Sequence, residues 1–429
     1  MSRTFRQTRK EQAMQAKDFS ELYNADKDAL DSLLADIVSA ARTAAVAEAL
    51  AVHDEALAAK GLTDSSKAAS DILGLNGLSD PVPTGFATLD EQLDGGLMPG
   101  VTVLGAASSV GKTMLLLCIA INAIESGYHC LFYSLEMGAK ELVARMLSRL
   151  IYRDSGLVVS SNRLMIPRKR RSFSFNEFEA MHDACGRFTD TIASSLLIMQ
   201  PEGQPTAADV SASIAHAKER AELSGGKGLI AFVDYLQLCG AEKEFAFERQ
   251  VIDANILGLR QAARAHGIPI VAISSLNRAS YFGEVAMDSF KESGSIEYGA
   301  DRLIGLQPLS FEDEISNLKA ARKMSDEKAA RHAMDDSKRS PVRSVELKLL
   351  KNRNGALPAS PVEFDFIGPA CTFVDTAADP VGHRAALAIL DSYEAEYAQD
   401  DDGQAYVSGE DASSPNPPHK DDLWPPEPE

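Results

Sequence analysis

Short apolar runs alternate with longer amphipathic stretches through the middle of the chain. Six of these runs predict buried strands, at residues 101–105, 130–134, 196–199, 229–234, 268–273 and 302–306. Helical patterns separate most of the runs, so we expect the strands to be joined by crossover helices. Such connections indicate a mostly parallel sheet flanked by helices, which is an α/β fold.

Two further apolar runs, residues 345–351 and 360–366, flank the dipeptide Asn354-Gly355. Asn-Gly is a strong signal for a tight turn, so this region predicts a C-terminal β-hairpin, added to the sheet in antiparallel orientation. Residues 311–341 are charged, mixed in sign and rich in helix-forming residues. They indicate an insertion before the hairpin.

The two ends of the chain differ in pattern from its middle. Residues 1–80 are polar and helical, with apolar positions at helical spacing within 30–59 and a stop at Gly61. This N-terminal helical segment either packs on its own domain or is a linker that docks on a neighbouring subunit. Residues 379–429 form an acidic, proline-containing tail that is expected to be mostly disordered. The α/β domain is then expected to span residues 81–378.

The negative charge is concentrated in that tail. Of the net charge of −19, residues 391–429 contribute −11, from twelve acidic residues against the single Lys420. The remainder of the chain is only mildly acidic. A local basic channel for nucleic acid is therefore compatible with the overall charge, because phosphate contacts depend on where the basic residues lie.

The composition is that of an ordinary globular protein, with 45% hydrophobic and 24% charged residues. The sequence has no apolar run of about 18 residues and no apolar leader, so neither a membrane span nor a signal peptide is expected. Its five cysteines are scattered without metal-ligand spacing, which favours a reducing compartment. We therefore expect a cytoplasmic protein that has no membrane partner.

The first predicted strand runs into a loop of small residues and then into a helix expected at 114–124. Backbone N–H groups of such a loop form a nest for the β- and γ-phosphates of ATP. Lys112 is expected to reach these phosphates, and the Thr113 hydroxyl to ligate Mg²⁺. The predicted ATP-binding residues are Ala106, which replaces the usual first glycine, Ser108, Ser109, Val110, Gly111, Lys112, Thr113 and Asp234.

Two carboxylates follow predicted strands and complete this chemistry. Asp234 ends the apolar run 229–234, which places it at the carboxyl edge of the sheet, where it can hold Mg²⁺. Glu136 follows the run 130–134, at a position where a general base could align the attacking water. Either acid alone would more often be a solvated strand end, but together with the loop they favour ATP hydrolysis.

These motifs, taken in order, resemble the C-terminal motor domain of the DnaB-type replicative helicases, which belong to helicase superfamily 4 and have a RecA-like fold. The similarity covers residues 83–376. The motifs that carry it are Thr84-Gly-Phe-Ala-Thr-Leu-Asp90, the phosphate loop, Ser134-Leu-Glu-Met137, Asp234-Tyr-Leu-Gln-Leu238, Leu276-Asn-Arg278, Glu292-Ser-Gly-Ser-Ile-Glu297 with Ala300-Asp301, and Lys351-Asn-Arg-Asn-Gly355. In that family the first glycine of the phosphate loop is also commonly alanine.

The resemblance implies a role for each matching residue. Glu136 is implied as the catalytic base and Asp234, with Thr113, as the Mg²⁺ ligand. Lys351 and Arg353, on the hairpin, are implied to reach the γ-phosphate that a neighbouring subunit holds, so that hydrolysis requires a ring, expected to be a homohexamer. Positive groups supplied in this way neutralise the charge that develops on the transferred phosphoryl group.

The same resemblance implies a DNA channel loop at Lys291, Glu292 and Gly294, where the family usually has arginine in place of Lys291. A lysine keeps the charge but lacks the bidentate geometry of a guanidinium. A second departure is Ser275, where the family normally has a glutamine that senses the γ-phosphate. ATP hydrolysis is expected to survive this change, while its stimulation by DNA weakens.

The sequence therefore predicts an ATP-dependent helicase motor that moves along single-stranded DNA in replication and uses ATP and Mg²⁺. Primase and helicase-loading proteins are the other expected partners. A RecA- or RadA-like recombination ATPase is the main alternative, and unwinding compared with strand exchange would separate the two. An ATP-binding regulatory protein without unwinding activity is a third interpretation, and it predicts negligible stimulation by single-stranded DNA.

Overall fold

The computed structural model of the chain describes residues 79–240, 247–277, 284–290, 293–309, 315–317, 319 and 325–400. The helix expected within 30–59 and the segment 401–429 lie outside the described residues. So do Lys291 and Glu292 of the expected channel loop.

One nine-stranded sheet organises the described part of the chain, in the order β3-β2-β4-β5-β1-β6-β7-β8-β9. The first six strands pair in parallel and the last three are antiparallel. The strands are β1 Gly100–Ala106, β2 His129–Ser134, β3 Leu196–Met199, β4 Leu229–Asp234, β5 Pro269–Ser275, β6 Arg302–Pro308, β7 Val342–Asn352, β8 Val362–Ile367 and β9 Thr372–Asp375. The expected α/β fold with a mostly parallel sheet and an added hairpin is confirmed.

Helices cover the sheet and connect its parallel strands. They are α1 Ala87–Gln92, α2 Lys112–Glu125, α3 Ala139–Ser155, α4 Ser161–Met165, α5 Pro167–Arg170, α6 Phe175–Arg187, α7 Ala207–Leu223, α8 Glu248–His266, α9 Ser293–Gly299, α10 Asp326–Arg339 and α11 Pro380–Asp400. Most of the described part of the expected insertion at 311–341 is helix α10. This helix ends at Arg339, and the hairpin begins with β7 at Val342.

The central strands are mostly apolar because both faces of the sheet are covered. All seven residues of β1 are buried. Successive side chains of a strand point to opposite faces, so Leu104 packs in the core with Leu116 of α2, and Val103 packs in the other core with Ile256 of α8. Strands buried in this way produce unbroken apolar runs instead of alternation.

Helix α11 begins at Pro380, inside the segment 379–429 that was expected to be mostly disordered. Ala386 of this helix is fully buried, and it packs with Val342, Ile367 and Val374 of the antiparallel strands. The imidazole of His383 also lies 2.5 Å from the buried Asp365 carboxylate. The short strand β9 was not predicted either, and it supplies part of the surface on which α11 rests. Tertiary burial therefore orders a segment whose composition predicted disorder.

Candidate nucleotide-binding site

The phosphate loop connects β1 to α2 and requires two left-handed backbone positions. Ser109 has φ 70° and Gly111 has φ 111°. A Cβ atom on Gly111 would lie only 2.8 Å from the Phe373 ring of β9. Glycine is thus required here both for its backbone angle and for the close approach of the aromatic ring. Ala106 and Val110, two of the predicted binding residues, have side chains buried in the core.

Lys112 is the first residue of α2, and its ammonium group folds back over the loop. Nζ donates hydrogen bonds to the carbonyls of Ala106 at 2.8 Å and Ala107 at 2.9 Å. Burial lowers the pKa of this lysine to about 8, although the nearby carboxylates of Asp234 and Glu136 oppose the shift. An anion placed in the loop would restore the counter-charge that the buried ammonium lacks.

Thr113 and Asp234 form the next pair of the site. The Thr113 hydroxyl donates a hydrogen bond of 2.7 Å to Oδ2 of Asp234, at the end of β4. Burial raises the pKa of Asp234 to about 6, and the charge of Glu136 adds to the shift, while the Thr113 hydroxyl and Lys112 oppose it. A hydroxyl and a carboxylate at this separation are oxygen donors of the kind that Mg²⁺ prefers.

Glu136 lies beside this pair because β2 and β4 are neighbours with Ser134 opposite Asp234. The Ser134 hydroxyl fixes the turn after β2, since it donates to the Met137 carbonyl at 2.6 Å and accepts from the Met137 N–H at 3.3 Å. The turn leaves the Glu136 side chain exposed at the edge of the cavity. The structure therefore brings together Lys112, Thr113, Glu136 and Asp234, as predicted.

These groups open into a cavity of about 750 Å³, a size that suits a nucleotide. Its wall includes Arg145, Arg339, Arg343 and Phe366, none of which was predicted. Arg343 of β7 lies over the Phe366 ring, 4.8 Å from its centre, and donates a 2.6 Å hydrogen bond to the Ser109 carbonyl of the phosphate loop. No local motif marks these residues. The folding of the hairpin onto the loop brings Arg343 and Phe366 there, while Arg145 lies on α3 and Arg339 at the end of α10.

Ser275 also lines the cavity, at the end of β5 next to β1. Its backbone N–H donates to Oε1 of Gln237 at 3.2 Å, and Nε2 of Gln237 donates to the Ser274 hydroxyl at 2.8 Å. Gln237 belongs to one of the quoted motifs but was not assigned a role. It links the strand that ends at Asp234 to the position where the resemblance implies a sensor.

Lys351 and Arg353 lie away from this cavity. β7 runs antiparallel to β6, so the end of β7 lies beside Arg302, where β6 begins. The phosphate loop follows the opposite end of the parallel strands. β1 is seven residues long, so at about 3.3 Å per residue the two edges of the sheet are roughly 20 Å apart. The structure therefore does not bring these two cations to the phosphate loop of their own chain.

Gly294 is the one described member of the expected channel loop, and it lies in the first turn of α9. A Cβ atom at this position would lie 3.0 Å from the guanidinium of the exposed Arg249. An additional basic group, not identified from the sequence, thus lies beside the segment that the resemblance assigns to DNA.

Residues 81–375 match the model of the DnaB-like helicase C terminal domain. The chain belongs to this family. Three relatives of this DnaB-like chain illustrate the similarity. The replicative DNA helicase DnaB of Helicobacter pylori strain J99 is 26% identical over 289 residues, which are 64% of this chain and 56% of that protein. The DnaB of Geobacillus stearothermophilus is 27% identical, over 68% of this chain and 56% of its own length. The replicative DNA helicase DnaC of Bacillus subtilis is 30% identical, over 51% and 45%.

A solved structure of a DnaB-like replicative helicase, described with its interactions with primase, has the same fold as this DnaB-like chain. The TM-score is 0.56 at 22% sequence identity, over 83% of this chain and 76% of that one. The chain spans about half the length of the curated relatives that it matches. Among the helices of the described residues, none combines the length and apolar character that crossing a bilayer requires.

Proposed function

We propose that this protein is the motor of a DnaB-type replicative helicase, which hydrolyses ATP while a homohexameric ring moves along single-stranded DNA. One observation carries the proposal. The cavity is lined by the residues proposed to bind and activate a triphosphate, whereas Lys351 and Arg353 lie at the other edge of the sheet, roughly 20 Å away. A site divided in this way is completed only when two copies meet edge to edge.

In this proposal each residue of the cavity has a distinct task. Lys112 exchanges its two loop carbonyls for phosphate oxygens, and Glu136 orients the attacking water and accepts its proton. The backbone of Ser108, Ser109 and Gly111 lies around the phosphates. The negative charge that develops on the transferred group is then neutralised by Arg353 and Lys351 of the adjacent copy.

Mg²⁺ fits the same cavity. The Thr113 hydroxyl and the Asp234 carboxylate, 2.7 Å apart, supply the two protein oxygens that would hold it, directly or through water. When bound, the ion supplies positive charge against the β- and γ-phosphates. Asp234 must ionise to act as a ligand, and its burial and the charge of Glu136 oppose that ionisation.

The ring is expected to contain six copies and to enclose single-stranded DNA. Lys291, Glu292 and Gly294 are the proposed contacts with the DNA backbone, and contacts of this kind position a strand without reading its sequence. Primase and a helicase loader are the proposed protein partners. A motor that serves replication in bacteria works on the chromosome or a mobile element, and we propose the cytoplasm as its location.

The test compares the wild type with Lys112→Ala and Arg353→Ala in ATPase and fork-unwinding assays. We expect both variants to lose at least 100-fold in turnover and to unwind no DNA, because each removes an essential half of the site. Arg384→Ala, which removes an exposed cation on α11, is the control and should keep full activity. Full turnover by Arg353→Ala would contradict the divided site.

The same preparation separates the alternatives. A recombination ATPase would exchange strands without unwinding a fork, so a strand-exchange assay accompanies the fork assay. A regulatory ATP-binding protein would show no increase of turnover with single-stranded DNA. Ser275 and its contact with Gln237 motivate this second comparison, since the side chain is shorter than the glutamine of the family.

A further inference from the structure

The end of the hairpin rests on one short helix. Nζ of Lys351 donates to the carbonyl of Glu297 and, at 2.8 Å, to the carbonyl of Ala300. Nη2 of Arg353 donates to the carbonyl of Tyr298 at 3.0 Å. These three carbonyls lie at the C-terminal end of α9, where helix carbonyls have no partner within the helix and carry partial negative charge. One helix end therefore binds both cations.

Asp301 completes the contact from the other side. Its backbone carbonyl accepts from the Arg353 N–H at 3.0 Å, and its Oδ1 lies 3.5 Å from Nη1 of Arg353 and 3.5 Å from Nε of Arg260. Its Oδ2 accepts from the backbone N–H of Val101, at the start of β1, at 3.0 Å. The carboxylate is thus fixed to the central strand of the sheet, within ion-pair distance of the guanidinium.

The exposure of the two partners shows what this pair can do. The Asp301 side chain is 11% exposed, whereas that of Arg353 is 39% exposed. An ion pair with one partner this accessible contributes little to the free energy of unfolding. Its main effect is on geometry, because a long side chain at the edge of the molecule would otherwise sample many rotamers.

We propose that Asp301 is a positioning residue for Arg353: while the end of α9 holds Lys351, Asp301 holds the guanidinium of Arg353 in the direction needed to meet the nucleotide of an adjacent copy. This inference rests on the proposed function, since it assumes that these cations act on a neighbouring site. Asp301 itself touches no nucleotide. It acts through Arg353, so its loss should lower turnover in the neighbour and leave nucleotide binding in its own cavity unchanged.

Asp301→Asn tests this role with the smallest change of shape. The amide oxygen can still accept from the Val101 N–H, while the charge that faces Arg353 is removed. We expect kcat to fall about tenfold, with KM for ATP within about twofold of wild type, because misplacing a group that acts in the transition state lowers kcat alone. Asp253→Asn, an exposed aspartate on α8, removes the same charge elsewhere and should keep full turnover.

Two further measurements separate positioning from general damage. The double variant Asp301→Asn/Arg353→Ala should be no slower than Arg353→Ala alone, because Asp301 acts through Arg353.

The second measurement mixes Asp301→Asn with the inactive Lys112→Ala. The turnover of the mixture should exceed the average of the two separate rates, weighted by the fraction of each variant. In the mixture, intact cavities of the first meet correctly held cations of the second. Independent losses in the double variant, or no gain on mixing, would overturn the inference.

The two hypotheses fail in different ways. If Arg353→Ala hydrolyses ATP at the wild-type rate, the proposed divided site is wrong. If Arg353→Ala is slow while Asp301→Asn turns over at full speed, the divided site stands and only the role of Asp301 is wrong.

Discussion

Two residues of the cavity, the partly buried Lys112 and the buried Asp234, have pKa values shifted toward each other. Burial lowers the pKa of Lys112 to about 8 and raises that of Asp234 to about 6. In each case the fold disfavours the charged form that nucleotide binding needs. Between about pH 6 and pH 8 both groups of the free site are charged, and each loses its charge much closer to neutral pH than it would in water.

This arrangement predicts a pH window for binding of Mg²⁺ and ATP. Affinity should fall as pH decreases through about 6, because protonated Asp234 cannot ligate the metal, and it should fall as pH increases through about 8, because neutral Lys112 cannot attract phosphate. Beyond each limit the loss should approach about tenfold per pH unit. The dissociation constant of a fluorescent ATP analogue, measured with Mg²⁺ from pH 5 to 9, checks this.

Two variants assign the limits of that window. Asp234→Asn should lose the acidic limit apart from the titration of the nucleotide itself, and Lys112→Met should lose the alkaline one. If both variants kept the wild-type pH profile, the assignment of these groups would be wrong.

At the scale of elements, β7 contributes to both halves of the proposed divided site. Near its start, Arg343 holds the Ser109 carbonyl and covers Phe366, while Lys351 near its end rests on α9. An eleven-residue strand thus reaches the cavity of its own chain at one end and the opposite edge at the other. The hairpin is therefore a structural link between two nucleotide sites in the proposed ring.

Arg343→Gln should weaken nucleotide binding without slowing chemistry. The change removes the guanidinium that orders the phosphate loop through Ser109, so we expect KM for ATP to rise about tenfold, with kcat within about twofold. Steady-state ATPase kinetics measure both constants. Arg384→Gln is the matched control on an exposed position. An unchanged KM would show that the loop keeps its shape without Arg343.

Helix α11 gives a test of where the folded domain ends. Ala386 is fully buried and Ala385 is exposed. We expect Ala386→Asp to lower the free energy of unfolding by about 2–4 kcal/mol, because a carboxylate would be buried among Val342, Ile367 and Val374. Ala385→Asp should change it by less than about 0.5 kcal/mol. Chemical denaturation of both variants provides the comparison, and equal midpoints would mean that α11 does not belong to the folded domain.

At the scale of the whole molecule, the divided site predicts complementation between two inactive variants. Arg353→Ala keeps an intact cavity, and Lys112→Ala keeps intact hairpin cations. In an equal, random mixture half of the cavities are intact, and half of the neighbouring copies carry intact cations. About one site in four should therefore combine both and recover activity. The ATPase rate of the mixture should then approach a quarter of the wild-type rate. A mixture as inactive as its components would contradict the proposed division of the site between two copies.

Most of the fold, and the part of the site formed by the phosphate loop and the two carboxylates, could be predicted from the sequence. Both depend on residues that follow one another closely along the chain. The apolar run 229–234 matches β4, and Asp234 ends it as expected. Gly111 ends the loop after β1, and Lys112 and Thr113 begin α2, so the strand, the loop and the helix follow one another directly. Arg343, Phe366 and Asp301 could not be identified in this way, since they reach their partners through contacts between distant segments.

The sequence alone determined the parallel sheet, the phosphate loop and the two carboxylates, because burial on both faces and the carboxyl edge of a strand leave a local pattern in the residues. Only the tertiary structure decided that β9 and α11 extend the domain and that Arg343 closes the cavity over Phe366. It also decided that Lys351 and Arg353 lie at the opposite edge. These outcomes depend on which surfaces meet when the chain folds, and that is a property of packing between distant segments.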